Sequence, residues 1–169
     1  MDLHTLINEN ELKNRIKELA QQIQKDFNNE EIVFICILKG SVFFTTELAK
    51  NISSSIILDF MKWSSYSGTK STGKLNFSLD ISQNLIDKNV IIIEDIIDTG
   101  RTLYYLKNYF KEKNPKTLKI CTLLDKKERR EFSIEPDYVG FDIPDKFVVG
   151  FGLDYDEKYR NLPFIGYLE

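Results

Sequence analysis

Two apolar patterns alternate along this chain. Ile7, Leu12, Ile16, Leu19, Ile23 and Phe27 recur at intervals of three to five residues, the stripe of an amphipathic helix that buries one face. The run IVFICIL, residues 32–38, has no polar position and predicts a strand covered on both sides, central in a sheet. KGS then turns the chain into a short helix over Val42–Lys50. SSIILDFM, residues 54–61, reads as the next strand. Residues 64–74 are dense in Ser, Thr and Gly and read as a loop, with LNFSLD, residues 75–80, a strand leaving it. VIIIEDI (90–96) and LKICTLL (118–124) repeat the buried-strand pattern. Between them a helix over 102–113 stops at Asn114-Pro115, because proline cannot continue it. The tail carries short strands cut by Pro144, Gly150 and Gly152.

Strand, turn and helix in repetition predict an α/β fold with a mostly parallel central sheet flanked by helices. No repeat, linker or low-complexity segment divides the chain, so residues 1–169 are expected to form a single domain. In such sheets ligands bind beyond the carboxyl ends of the strands. Three apolar strands end in reactive chemistry here, at ILKGS, IIEDIIDTG and LLDKK, and their ends would share one sheet edge.

Composition narrows the partners. At 42% hydrophobic and 29% charged residues the 169-residue chain is an ordinary globular protein, and its net charge of −3 opposes a general nucleic-acid binder. Cys36 and Cys121 lie far apart inside apolar runs, which predicts two buried, reduced thiols. The start MDLHTLINENELKNR has no apolar signal core, and no apolar run approaches the roughly 20 residues that cross a bilayer. A cytoplasmic protein without membrane contact is expected. His4, the only histidine, reads as a solvated residue near a terminus.

The densest chemistry is VIIIEDIIDTGRTL, residues 90–103. Glu94, Asp95 and Asp98 place three carboxylates within five positions. Two like charges 4 Å apart repel by about 1 kcal/mol in water and about 4 kcal/mol at an effective dielectric near 20, so such crowding calls for a partner. Immediately afterwards the backbone N–H groups of Asp98, Thr99, Gly100, Arg101 and Thr102, at a turn opening a helix, form an anion site aided by the helix dipole. Together they suit one ligand with two ends: a phosphate in the turn, and hydroxyls or a magnesium-bound group against the acids. A plain helix cap would explain one acid, but not three followed by TGRT.

VIIIEDIIDTGRTL resembles the phosphoribosyl-pyrophosphate signature of type I phosphoribosyltransferases. With ILKGS, SSYSGTKSTG, LLDKKERR and PDYVGFDIPDKFVVGFGLDYDEKYRNLPFIGYL, the chain resembles the hypoxanthine-guanine branch over most of its length. That resemblance implies a small hood subdomain beside the main sheet, and transfer of a phosphoribosyl group to a 6-oxopurine through an oxocarbenium-like transition state, as in glycoside chemistry. It also implies a homodimer or homotetramer, and Mg²⁺ as cofactor, with Glu94, Asp95 and Asp154 as its carboxylates.

The same resemblance distributes the roles. Residues 98–102 hold the 5′-phosphate, with Arg101 at a variable position. Glu94 and Asp95 face the ribose hydroxyls, and Asp98 is the general base toward the purine N7 proton. Lys39, Gly40 and Arg160 contact pyrophosphate, after a cis Leu38–Lys39 bond. Lys126 contacts the purine 6-oxygen, Phe147 stacks on the base between Lys146 and Val148, and Asp154 acts through magnesium-bound water. Ser65 and Tyr66 mark a lid; Lys70 within it has no assigned role. Lys127, Arg129 and Arg130 are expected to be merely solvated. Two competing readings are weaker. A nucleotide-sensing transcriptional regulator on the same fold conflicts with the acidic charge, and a phosphoaspartate hydrolase needs a D-x-D arrangement that Asp95 and Asp98 do not make.

Overall fold

The computed structural model describes residues 1–64 and 76–169. Ser65, Tyr66 and Lys70, and with them the lid expectation, lie outside the described residues. Nine strands and three helices follow in the order β1 (Leu3–Ile7), α1 (Glu9–Asp26), β2 (Ile32–Ile37), α2 (Val42–Lys50), β3 (Ile56–Ser64), β4 (Asn76–Leu79), β5 (Asn89–Ile97), α3 (Arg101–Lys111), β6 (Thr117–Asp125), β7 (Tyr138–Asp142), β8 (Val148–Val149) and β9 (Ile165–Leu168).

Six strands form the main sheet in the order β4-β3-β2-β5-β6-β7. All neighbours are parallel except β3 and β4. The two most apolar strands are the two central ones, and the period of two explains why. Phe34, Ile91 and Ile93 join Leu12, Ile16 and Leu19 of α1 and Phe44 and Leu48 of α2 on one face. Val33, Ile35, Val90 and Ile92 meet Leu103, Leu106 and Phe110 of α3 on the other. A strand buried on both faces has no polar position to spare. Cys36 and Cys121 are buried free thiols, as expected. Among the described residues no helix is long and apolar enough to cross a membrane.

A second, three-stranded antiparallel sheet, β1-β9-β8, joins the two ends of the chain. It corresponds to the expected hood, but its first strand was not foreseen. Ile7 was expected in the opening helix; instead it ends β1, opposite Ile165. The Asn8 side chain accepts the Glu11 amide at 2.9 Å while the Glu11 carboxylate accepts the Asn8 amide at 2.9 Å. That reciprocal cap starts α1 at Glu9. His4 is likewise part of a strand, stacked on Tyr167 with ring centroids 5.2 Å apart. A strand whose partner is the far end of the chain leaves little local pattern to read.

Candidate active site

The carboxyl ends of β2, β5 and β6 lie side by side, and each delivers part of the site. After β2 the Leu38–Lys39 peptide is cis, and Gly40 follows. A Cβ on Gly40 would fall 1.8 Å from Asp95 Oδ2. The loop after β2 therefore touches the acids of β5 only because residue 40 has no side chain. Gly40→Ala should displace the Asp95 carboxylate and lower the thermal midpoint by a few degrees, as thermal unfolding would check.

Glu94 and Asp95 are half-buried near the end of β5. Burial pushes the Glu94 carboxyl well above its ordinary range, and the neighbouring Asp95 charge adds to this. Burial likewise raises Asp95 to about 6, against its hydrogen bond from the Ile96 amide and the attraction of Arg160, with Asp154 adding repulsion. Asp95 ionises near 3.8 without these effects, so between about 4 and 6 the folded chain holds more protons than the unfolded one. Its contribution to stability therefore falls as pH rises through that window. Asp95→Asn should raise the thermal midpoint by a few degrees at pH 7.5, and the gain should shrink toward pH 5. An equal gain at both pH values would assign it to something other than the charge.

Beyond β5, Asp98 and Thr99 lead to Gly100, which precedes α3 in a left-handed conformation with φ of 85°. That conformation is strained for any residue with a Cβ, and one built there would fall 2.5 Å from Ile134 Cγ2. The cap residue Gly100 offers no side chain to α3, and the Arg101 amide makes only a long bond of 3.4 Å to the Thr99 hydroxyl, so the first turn can turn its amides to a ligand. A pocket of about 100 Å³ opens here, lined by Glu94 and residues 96–103, which include Arg101 and Thr102.

Lys126 follows β6. It is 8% exposed, and its ammonium lies 3.7 Å from Asp145. Phe147, just before β8, is 54% exposed, and its ring stands T-shaped to that of Tyr155, centroids 5.6 Å apart at 87°. Val148 is buried and pairs with Tyr167. The Lys146 ammonium sits 3.7 Å over the Tyr167 ring and 3.3 Å from Glu169, so its side chain lies against the end of the small sheet.

Between β8 and β9 the chain bends back to the loop after β2. Arg160 donates to the Gly152 carbonyl at 2.7 Å and lies 3.4 Å from Asp154 and 3.2 Å from Glu157. Glu157 also accepts from Lys39 at 3.1 Å, and these two cations hold its carboxyl below the usual range. The two expected pyrophosphate cations are thus joined through one carboxylate that the sequence reading did not single out.

Arg129 and Arg130 correct the expectation of a solvated loop. Arg129 donates from Nε to Asp98 Oδ1 at 3.0 Å and approaches Asp145 at 3.7 Å. Arg130 donates to Asp125, which is fully buried, and to the Asp98 carbonyl. The one available signal was an aspartate closing an apolar run with an arginine five positions on.

Among the described residues no three His, Cys, Asp or Glu side chains converge into a metal cage. Mg²⁺ does not require one, since it commonly takes one or two carboxylates and completes its shell with water and substrate oxygens. Glu94 and Asp95, both held toward the protonated form by burial, are oxygen donors that fit an arriving cation.

A mostly parallel sheet whose central strand ends in paired acids and an uncapped helix turn is the architecture of α/β proteins that bind phosphorylated ligands. The phosphoribosyl transferase domain model matches residues 5–156. A hypoxanthine-guanine phosphoribosyltransferase of Streptococcus thermophilus is 49% identical over 97% of this chain and 92% of its own length. A hypoxanthine-guanine phosphoribosyltransferase structure from Bacillus anthracis, with a HEPES molecule in its active site, is 52% identical, with a TM-score of 0.93 over 98% of both chains. A hypoxanthine phosphoribosyltransferase structure from Staphylococcus aureus is 46% identical, with a TM-score of 0.93 over 98% of this chain and 90% of that one. The chain belongs to the phosphoribosyl transferase family, in its hypoxanthine-guanine branch. These relatives are enzymes by name and lend nothing to the regulator reading.

Proposed function

We propose that this protein transfers the 5-phosphoribosyl group from phosphoribosyl pyrophosphate to a ring nitrogen of hypoxanthine or guanine, releasing pyrophosphate. One observation carries the reading most directly. The uncapped turn after β5, the acids before it and the near-buried Lys126 lie at one edge of the sheet, in a chain about half identical to enzymes of that name.

In this reading the amides of residues 98–102, with the hydroxyls of Thr99 and Thr102, hold the 5′-phosphate. Glu94 and Asp95, ionised once a cation offsets the burial that favours their protonated forms, accept hydrogen bonds from the ribose hydroxyls. Asp98 takes the purine N7 proton and, as an anion beside a developing cation, also stabilises it. Lys126 donates to the 6-oxygen. Phe147 stacks on the base, a contact worth about 1–3 kcal/mol by analogy with aromatic platforms, and the Val148 backbone meets the edge of the base. Lys39, Gly40 and Arg160 hold pyrophosphate; Lys146 flanks the purine site. Ser65 and Tyr66 would belong to a lid that keeps water from the oxocarbenium-like centre.

Glu94, Asp95 and Asp154, the last through water, would hold Mg²⁺, which when bound neutralises the leaving pyrophosphate. The two reduced thiols fit a cytoplasmic enzyme, and the fold is proposed to pair into dimers or tetramers, which sedimentation would report. Incubation with magnesium, phosphoribosyl pyrophosphate and each purine should yield nucleotide from hypoxanthine and guanine and none from adenine. Folded protein that makes no nucleotide from any purine would refute the proposal.

A further inference from the structure

Three consecutive carbonyls, that of Ile97 closing β5 and those of Asp98 and Thr99 in the turn after it, are each engaged by the segment that follows β6. The Ile97 carbonyl accepts the Lys126 amide at 2.9 Å. Arg130 Nη1 reaches the Asp98 carbonyl at 3.0 Å. The Thr99 carbonyl accepts the amides of Glu131 at 2.9 Å and Phe132 at 3.0 Å. Of these four donors, only Arg130 uses a side chain. Its other arm is anchored on Asp125 at 2.5 Å, where the Asp125 side chain is fully buried and Arg130 is 15% exposed. The second Asp125 oxygen has no other partner among the described residues. Arg130 Cδ also lies 3.0 Å from where a Cβ on Gly100 would stand. Yet Arg130 does not line the pocket, so it acts on the turn from outside the ligand space.

We infer that Arg130 is a positioning residue: braced on Asp125, it fixes the 98–100 turn relative to Lys126 and so sets the distance between the phosphate end and the base end of the substrate pair. The inference rests on the proposed roles of that turn and of Lys126. The physical case is directional. A guanidinium is a planar fork with a fixed angle between its donors, so one side chain can hold a carboxylate and a carbonyl in a set relation. A lysine can pair with Asp125 or donate to Asp98, but lacks the fork.

A buried ion pair also supports the fold, and the test must separate the two roles. Removing one member of such a pair is strongly destabilising, whereas replacing both by apolar residues of similar volume is often neutral. The double variant Asp125→Leu, Arg130→Met should therefore keep a thermal midpoint close to that of the unaltered protein. Its KM for phosphoribosyl pyrophosphate should nevertheless rise at least tenfold and kcat should fall, while KM for hypoxanthine changes less than threefold. Arg130→Lys, which keeps a charge beside Asp125, should fall between the two. An active unaltered protein whose folded double variant retains its KM for phosphoribosyl pyrophosphate would overturn the inference. If the double variant does not fold, an unchanged KM in Arg130→Lys would overturn it equally. Absence of activity in the unaltered protein would instead count against the proposed function.

Discussion

Asp98→Asn is expected to lower kcat by about 10²–10⁴-fold, the range that a positioned general base typically contributes, while changing the Kd for phosphoribosyl pyrophosphate less than threefold. The substitution keeps size and hydrogen-bonding oxygen but removes basicity. Asparagine can still accept from Arg129, whose Nε lies 3.0 Å from Asp98 Oδ1, so the geometry after β6 should persist. The 5′-phosphate is assigned to backbone amides, which the change leaves in place. The Asp98 side chain is 45% exposed, open to an incoming base. Product formation gives kcat and calorimetry gives Kd; parallel losses in both would end the base assignment and make Asp98 a binding residue.

Lys126→Ala should reduce kcat/KM for hypoxanthine and guanine by about 10–100-fold, the value of a hydrogen bond to a charged partner of roughly 1.5–3 kcal/mol. Because Lys126 is nearly buried, its ammonium has little water to fall back on. It carries donors and no acceptor: a 6-oxo group satisfies it, whereas the 6-amino group of adenine meets it donor to donor. A site built around such a group rejects the analogue that leaves it unpaired. In the alanine variant that penalty disappears with the lysine, so the ratio of hypoxanthine to adenine turnover should collapse toward unity. Asp145, 3.7 Å from the ammonium, keeps Arg129 at 3.7 Å, so the loss comes from the missing donor and not from a stranded carboxylate. Steady-state kinetics with the three purines would read this directly, and an unchanged ratio would remove Lys126 from base selection.

The central layer of this fold is written in its residues at short range. Ile32–Ile37 and Val90–Ile93 have no polar position, which only burial on both faces tolerates, and both became central strands. The Glu94–Thr102 stretch was equally legible, because acids, threonines and glycine follow one another at a strand end. What stayed hidden depends on distant pairing. β1 is a strand only because β9, at the opposite end of the chain, lies beside it. Arg130 looked like one charge in KKERR, and only an aspartate five positions earlier hinted that it would turn inward to Asp125 while Lys127 stays at the surface. Lys146 stood next to an exposed aromatic ring in sequence, yet its ammonium lies against Tyr167 of β9 and Glu169 after it.

The carboxylate bridging Lys39 and Arg160 has a consequence for which anions can settle between them. On the proposed assignment, pyrophosphate enters by exchange: it must evict Glu157, a tethered competitor whose effective concentration is set by a short stretch of chain and not by the solution. A small monoanion that can satisfy only one of the two cations gains too little to dislodge it. A diphosphate, able to span both at once, matches what the glutamate already does. The loop would thereby screen out chloride before any substrate arrives.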